Sequence, residues 1–276
     1  MEPILQLDTG NLAGLPGIAL PTLIGMLLQF LIAMLRIGAF MVASPFFSNP
    51  AIPVMVRVVA SGTLALAVMS VHEMPAPETL NLSAAFFLVV TELAIGLSGG
   101  MVLTILFASV SLAGEKIAST AGLGFAAQYD PSAGGQTPLV SQMFGLFLLV
   151  IFLSLDGHLV TLSIMFESYK IVPPGFPIDF GALIGAGVKA GNQMFLLAAK
   201  IMLPVASVLV LINIAIGVIT RSAPQLNIFS FGFPITMLAA FTLLYFNTPS
   251  LAAAFSDLID FATGALEEMI RGLPRG

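Results

Sequence analysis

The sequence has no cysteine, which removes disulfides and thiolate-held metals from consideration. It is almost as poor in charge: Asp, Glu, Lys and Arg make up 8% of its 276 residues, against about 25% in a soluble domain. The nine Lys and Arg are scattered and the formal net charge is -5. There is therefore no basic patch for nucleic acid and no cationic cluster for anionic lipid headgroups. The two histidines, His72 and His158, stand in no metal-ligand spacing. No G-x-x-x-x-G-K-[ST] loop occurs, which excludes nucleotide hydrolysis by that route. Ahead of the first apolar segment stand Glu2 and Asp8 but no Lys or Arg. A cleavable signal begins with basic residues, so this segment is expected to be retained.

What is present is apolar surface. Hydrophobic residues make up 58% of the chain and the mean hydropathy is +1.06, the composition of an integral membrane protein. Apolar segments run over 18–46, 54–71, 84–113, 139–166, 183–220 and 228–247. A stretch at 250–271 has apolar residues at helical spacing with Asp257, Asp260, Glu267 and Glu268 between them, the pattern of an amphipathic end helix. Backbone groups without water must pair within their own segment, so the expected class is an all-α membrane protein. The segments 84–113 and 183–220 would be about 45 and 57 Å long as helices, well beyond what the roughly 20 residues that cross a bilayer core need, and Pro204 is expected to kink the longer one. Lys and Arg are nearly balanced between alternate loops, so the positive-inside rule gives no orientation. Length and charge balance together favour a subunit of an assembly over a free-standing set of spans.

Gly96 and Gly100, Gly181 and Gly185, and Gly187 and Gly191 each have small-xxx-small spacing, which lets helix backbones approach. Packing within the chain is the expected use, ahead of a subunit interface. The fourteen methionines are scattered and read as adaptable core filling. Arg36, Arg57, Glu92 and Lys200 interrupt apolar helices, where an ionised group costs at least about 2.5 kcal/mol and faces protein or water. A proton or substrate pathway and simple pairing both remain open for the first two arginines and Glu92; for Lys200 pairing, or a place outside the bilayer, is preferred. "GLSGG" at 96–100 satisfies G-x-S-x-G and could be joined with His158 into a serine–histidine dyad. That motif needs a sharp strand-to-helix turn, whereas Ser98 lies in a long helical pattern. "LDGH" at 155–158 reads as a bend in which Gly157 relaxes the chain. No catalytic constellation is left: no enzyme activity and no cofactor are expected.

Three stretches carry a more specific signal. The first is "LRIGAFMVASPFFSNPAIPVMVRV", with Arg36, Pro45, Pro53 and Arg57. The second is "AGEKIASTAGLGFAAQYDPSAGGQTPLV", with Glu115, Lys116, Gly122, Leu123, Phe125, Asp130, Pro131 and Pro138. The third is "NIAIGVITRSAPQLNIFSFGFPIT", with Asn213, Gly217, Arg221, Pro224, Gln225, Phe229, Gly232, Phe233 and Pro234. In order and spacing, over nearly the whole chain, these resemble the export-gate family of type III secretion, in its flagellar branch. The injectisome relatives share the fold. The middle of the second stretch, Ser132 to Gln136, is generic.

The resemblance implies long kinked helical hairpins packed into a helical export-gate assembly in the bacterial inner membrane, within the flagellar basal body, with its core projecting to the periplasmic side. It implies FliP and FliQ as gate partners around one copy of this chain, FlhB and FlhA as further partners, and unfolded proteins as export substrates. Residues 1–120 would be FliP-like and 138–276 would include a FliQ-like hairpin and the end helix. Residues 121–137 align with the family's plug, the segment that closes the pore: Ala121, Gly122, Leu123, Gly124, Phe125, Gln128, Tyr129, Asp130, Pro131, Gly134 and Gly135 are its candidate residues. Small residues fill a narrow lumen and leave it with few contacts to break. Asp130-Pro131 sets a turn, and Thr137-Pro138 has the form of an N-cap and first-turn proline. An ordinary loop is the other reading, although 17 residues exceed the usual two to eight between helices. Arg36, Arg57, Glu92, Glu115, Lys116 and Arg221 are read as structural or assembly charges. A secondary transporter of a small solute is the alternative function, disfavoured by the lack of an internal repeat.

Overall fold

The computed structural model describes residues 20–76, 81–123, 139–223 and 231–274. Every regular element among them is a helix: α1 (Leu20–Ala43), α2 (Val54–Val71), α3 (Leu82–Thr120), α4 (Leu139–Ser154), α5 (Gly157–Ile171), α6 (Phe180–Ser222) and α7 (Phe233–Arg271). Five are long and apolar enough to cross a membrane, and α4 with α5 makes a sixth if that bent pair is one span. With 39, 43 and 39 residues, α3, α6 and α7 are about 58, 64 and 58 Å long at 1.5 Å per residue. All three exceed the roughly 30 Å of bilayer hydrocarbon.

The apolar segment at 139–166 is broken into α4 and α5, which meet at 65°. A bend was expected at "LDGH", but with Gly157 as its flexible residue; the left-handed residue is Asp156, with φ 54°. Its carbonyl accepts the N–H groups of Leu159 (2.8 Å) and Val160 (3.0 Å) and so starts α5. Aspartate tolerates this conformation better than most side chains. Gly157 serves closeness instead: a Cβ there would stand 2.5 Å from the Phe152 ring. Asp156→Ile puts a β-branched side chain in the left-handed region and is expected to cost about 1–2 kcal/mol. A lower thermal midpoint of the detergent-solubilised chain checks this.

The sequence pattern separates 228–247 from an end helix at 250–271, whereas α7 runs unbroken from Phe233 to Arg271 through Pro249. Proline has no N–H for the carbonyl four residues back, that of Tyr245. The Thr248 hydroxyl reaches that carbonyl at 2.9 Å, and Asn247 Nδ2 donates to the Leu243 carbonyl at 2.8 Å. Neighbouring polar side chains thus satisfy the backbone and the helix continues. The amphipathic pattern itself holds: Phe255, Leu258, Ile259, Ala262 and Leu266 are buried while Asp257 and Asp260 are exposed.

The chain forms two compact units that interleave along the sequence. One takes the described residues up to Met101, Leu162–Leu183 and those from Glu268 on. Its core joins Ala33, Ile37 and Met41 of α1 to Ala65 and Val68 of α2 and Tyr169 of α5. Gly96 and Gly100 bring α3 against α1. A Cβ at Gly96 would run into the Arg36 carbonyl and lie 2.8 Å from Ala39 Cβ; one at Gly100 would lie 2.6 Å from Ala43 Cβ. The Asp179 N–H donates to the Leu273 carbonyl at 3.0 Å, tying the approach to α6 to the end of the chain.

The other unit takes Val102–Thr161 and Ile184–Glu267. Here Gly114 lets α3 meet α4 (a Cβ would be 2.7 Å from Ser141 Cα), and the Ser141 hydroxyl donates to the Ser111 carbonyl at 2.7 Å. Phe144 of α4 meets Phe255 of α7 edge-on at 5.6 Å. Gly185, Gly187 and Gly191 have no atom within 4 Å of a hypothetical Cβ, so their spacing serves no packing among the described residues.

Candidate functional site

Ala121, Gly122 and Leu123, the first residues of the long connection at 121–137, end α3 in the second unit. A helix leaves its last carbonyls without partners. Here the Leu123 N–H donates to the Ala118 carbonyl (2.9 Å) and the Gly122 N–H to the Ser119 carbonyl (3.0 Å). Those paired bonds form a Schellman cap, which needs a left-handed residue at the position Gly122 holds, with φ +81°. The next two carbonyls are taken by side chains from distant helices. Asn213 Nδ2 of α6 donates to the Thr120 carbonyl at 2.9 Å. Thr236 Oγ1 of α7, buried and shared with its own Phe233 carbonyl, donates to the Ala121 carbonyl at 3.1 Å. The Phe233 ring lies where a Cβ on Gly122 would meet it at 3.3 Å. Three helices therefore fix the point from which the connection departs. Gly124, Phe125, Gln128, Tyr129, Asp130, Pro131, Gly134 and Gly135, with the turn and N-cap expected at 130–131 and 137–138, lie outside the described residues.

The second cluster lies in the first unit. Arg36 of α1 and Glu92 of α3 are 0% and 1% exposed and form a two-pronged ion pair: Nε to Oε2 and Nη2 to Oε1, both 2.8 Å. Arg36 Nη1 donates to Ser168 Oγ at 2.9 Å and Nη2 to the Val172 carbonyl at 2.8 Å. The guanidinium lies 4.2 Å from the centre of the Tyr169 ring, whose hydroxyl donates to the Ala33 carbonyl at 2.6 Å. His72, just past α2, stacks on Tyr169 at 6.2 Å and meets Phe166 edge-on at 5.3 Å between ring centres. Burial, then Lys170 and Arg36, hold the His72 pKa below its ordinary value, which favours the neutral ring. Both carboxylate oxygens of Glu92 are engaged and its partner's donors are spread over protein acceptors. Such an enclosed pair stabilises only through this completeness.

The other charges singled out in the sequence are not brought to either cluster. Arg57 Nη2 gathers the carbonyls of Ser48 (3.2 Å), Asn49 (2.9 Å) and Ile52 (3.0 Å), clasping the turn between α1 and α2. Glu115 and Lys116 are exposed on α3, and Lys200 is exposed on α6. Arg221 is exposed in the last turn of α6, where a cation complements the helix dipole. Ser98 has continuous helix on both sides, so the turn a serine elbow needs is absent there.

Ser168, Tyr169 and Thr236 were not singled out in the sequence, and Asn213 was noted only as part of a motif. An amide in the apolar run "LINIAIGV" is a usable signal, because its donors must find acceptors. A threonine in a helix gives none, since its hydroxyl can always bond its own preceding turn.

Among known proteins, the family described as bacterial export proteins, family 1, matches residues 27–262. The chain is 30% identical over 243 residues to the flagellar biosynthetic protein FliR of Escherichia coli (strain K12), covering 87% of this chain and 92% of that protein. Against FliR of Pectobacterium carotovorum subsp. carotovorum it is 31% identical over 247 residues, with 87% and 94% covered. Against FliR of Bacillus subtilis (strain 168) it is 30% identical over 221 residues, with 78% and 84% covered. Arg36, Glu92, Asn213 and Thr236 all fall within the matched stretch.

Proposed function

Since the chain belongs to family 1 of the bacterial export proteins, we propose that it is a subunit of the flagellar type III export gate, forming with FliP and FliQ the closed pore for unfolded flagellar proteins. It sits in the bacterial inner membrane within the basal body, its core towards the periplasm, and FlhB and FlhA are its further partners. Residues 1–120 form the FliP-like part, 121–137 the plug, and 138–276 the part with the FliQ-like hairpin. No catalytic role is assigned to any residue.

The observation that carries the assembly is the length of exposed apolar surface along α6. Ile184, Val188, Phe195, Leu203, Leu211 and Val218 are each exposed by more than half. From Ile184 to Val218 this surface runs about 51 Å along the helix. Hydrocarbon of about 30 Å covers at most about 39 Å of a helix tilted by 40°. Lipid cannot cover it all, so protein must cover the remainder. A lone small-solute transporter leaves that remainder bare.

Deleting residues 122–136 tests the plug. With the gate partners co-produced, the variant is expected to leak ions across the membrane while the intact chain stays tight. A deletion variant that assembles normally and stays tight removes the plug from this reading.

A further inference from the structure

The residues that follow α2 are tethered to their neighbours at three points, all in the first unit. Met74 packs against the core shared by α1, α2 and α5. Gln29 Nε2 of α1 donates to the Met74 and Pro75 carbonyls at 3.3 and 3.4 Å. The third tether is the His72 ring, stacked on Tyr169 and edge-on to Phe166 of α5. Apolar packing and an amide bond do not change with pH, whereas an imidazole gains a proton close to the physiological range.

The surroundings fit only the neutral ring. His72 Nε2 is buried and has no hydrogen-bond partner. A bare nitrogen tolerates that, with the ring's hydrogen on Nδ1. In the protonated ring both nitrogens carry a hydrogen, and the one on Nε2 would be a buried donor without an acceptor. The new charge would be uncompensated too. Cations bear on the ring from two helices, Lys170 of α5 and Arg36 of α1. Glu73, the next residue, and Glu167 of α5 are exposed, and both oxygens of Glu92 on α3 are held by Arg36. The Tyr169 hydroxyl is engaged with the Ala33 carbonyl. Arg57, the charge on α2 itself, clasps the turn at the far end of that helix. A hollow of about 390 Å³ between His72, Glu73, Tyr169 and Lys170 admits water, and with it protons.

We propose that His72 is a proton-operated latch: neutral, its ring docks residues 72–76 onto α5, and protonated, it lets them go. The docked ring holds its pKa below the ordinary 6.5, to which a released ring returns. Protons therefore favour release. Docking is at full strength above about pH 6.5 and weakens as the pH falls from there towards the docked value. The latch is independent of the plug, and it makes the end of α2 responsive to the pH of the solution that bathes it.

The absence of cysteine allows a direct test. Met74→Cys places a single thiol in the tethered segment, and Ser83→Cys, at the exposed start of α3, serves as reference. The full chain in detergent is labelled between pH 8 and pH 5 with a pyridyl disulfide, which reacts with thiols across this range. The ratio of the Met74→Cys rate to the reference rate cancels the reagent's own pH dependence. A buried donor without an acceptor shifts a population about five-fold or more. The ratio is thus expected to be flat above pH 7 and to rise at least about five-fold by pH 5. His72→Phe keeps a ring to stack and takes no proton, so its ratio is expected to stay flat. Lys170→Gln removes an exposed cation and is expected to make the rise smaller, because the proton then meets less repulsion at the docked ring. A flat ratio with His72 in place overturns the latch. So does an equal rise in His72→Phe, which assigns the pH dependence to another group. An undiminished rise in Lys170→Gln overturns it as well, even where His72→Phe fails to accumulate.

Discussion

Glu92→Gln is expected to remove about 3–5 kcal/mol of stability and, with it, most of the chain from the membrane. The reasoning is one of compensation. Arg36 is fully buried and permanently charged, and among the described residues the Glu92 carboxylate is the opposite charge that pairs with it. Glutamine leaves that charge enclosed and unpaired, the situation in which breaking a buried pair costs most. Replacing the pair together, with Arg36→Met and Glu92→Leu, removes both charges and is expected to restore much of the loss. Ser168 and the Val172 carbonyl would lose a partner, so recovery is expected to be incomplete. The measurement is the amount of full-length chain in the membrane fraction and its thermal midpoint in detergent. Wild-type accumulation of Glu92→Gln alone would show that packing, not the ion pair, holds α1 to α3.

Gly96→Ala is also expected to be damaging, by up to about 2 kcal/mol net. Two effects oppose each other. Alanine improves helix propensity by about 1 kcal/mol over glycine. Against it, the new methyl group meets the Arg36 carbonyl and Ala39 Cβ, backbone and near-backbone atoms that cannot swing aside. Relief requires α1 and α3 to separate, and overpacking of that kind costs about 1–3 kcal/mol. The separation also acts on Arg36 itself, since its own carbonyl is the first obstacle. Gly191→Ala is the internal control: the same propensity gain with nothing within 4 Å of the new atom, so the isolated chain should hold or gain stability. Equal thermal midpoints for the two variants would count against close backbone approach at Gly96.

These cases mark how far the sequence could be read. Helical class, membrane character and the excess length of two segments follow from composition and period alone, because a chain without water must satisfy its backbone locally. The Gly96 and Gly100 spacing also marked a close approach, while the equally good spacing of Gly187 and Gly191 marked none. The spacing states that a helix face is small and leaves open what lies opposite. Arg36 and Glu92 stood out as charges in apolar runs, but pairing and conduction were equally open, since Ser168, Tyr169 and Val172 lie more than 130 residues from Arg36. The pattern of apolar residues misled between 247 and 250, where the helix runs on because the Thr248 hydroxyl takes the carbonyl that Pro249 leaves without an N–H. Glycine misled at 157, because it stands next to the residue that turns.

The wide spacing of the Arg36 partners also sets a schedule. The arginine precedes Glu92 by 56 residues and Ser168 by 132. At roughly 5–20 residues per second, synthesis brings the carboxylate about 3–11 s after the arginine and the serine about 7–26 s after it. Throughout that interval α1 carries a cation whose permanent acceptors have not been made. Until Glu92 is made, that cation costs newly made α1 about 2.5–3.5 kcal/mol at the centre of a bilayer, a cost that the apolar residues of the helix must offset.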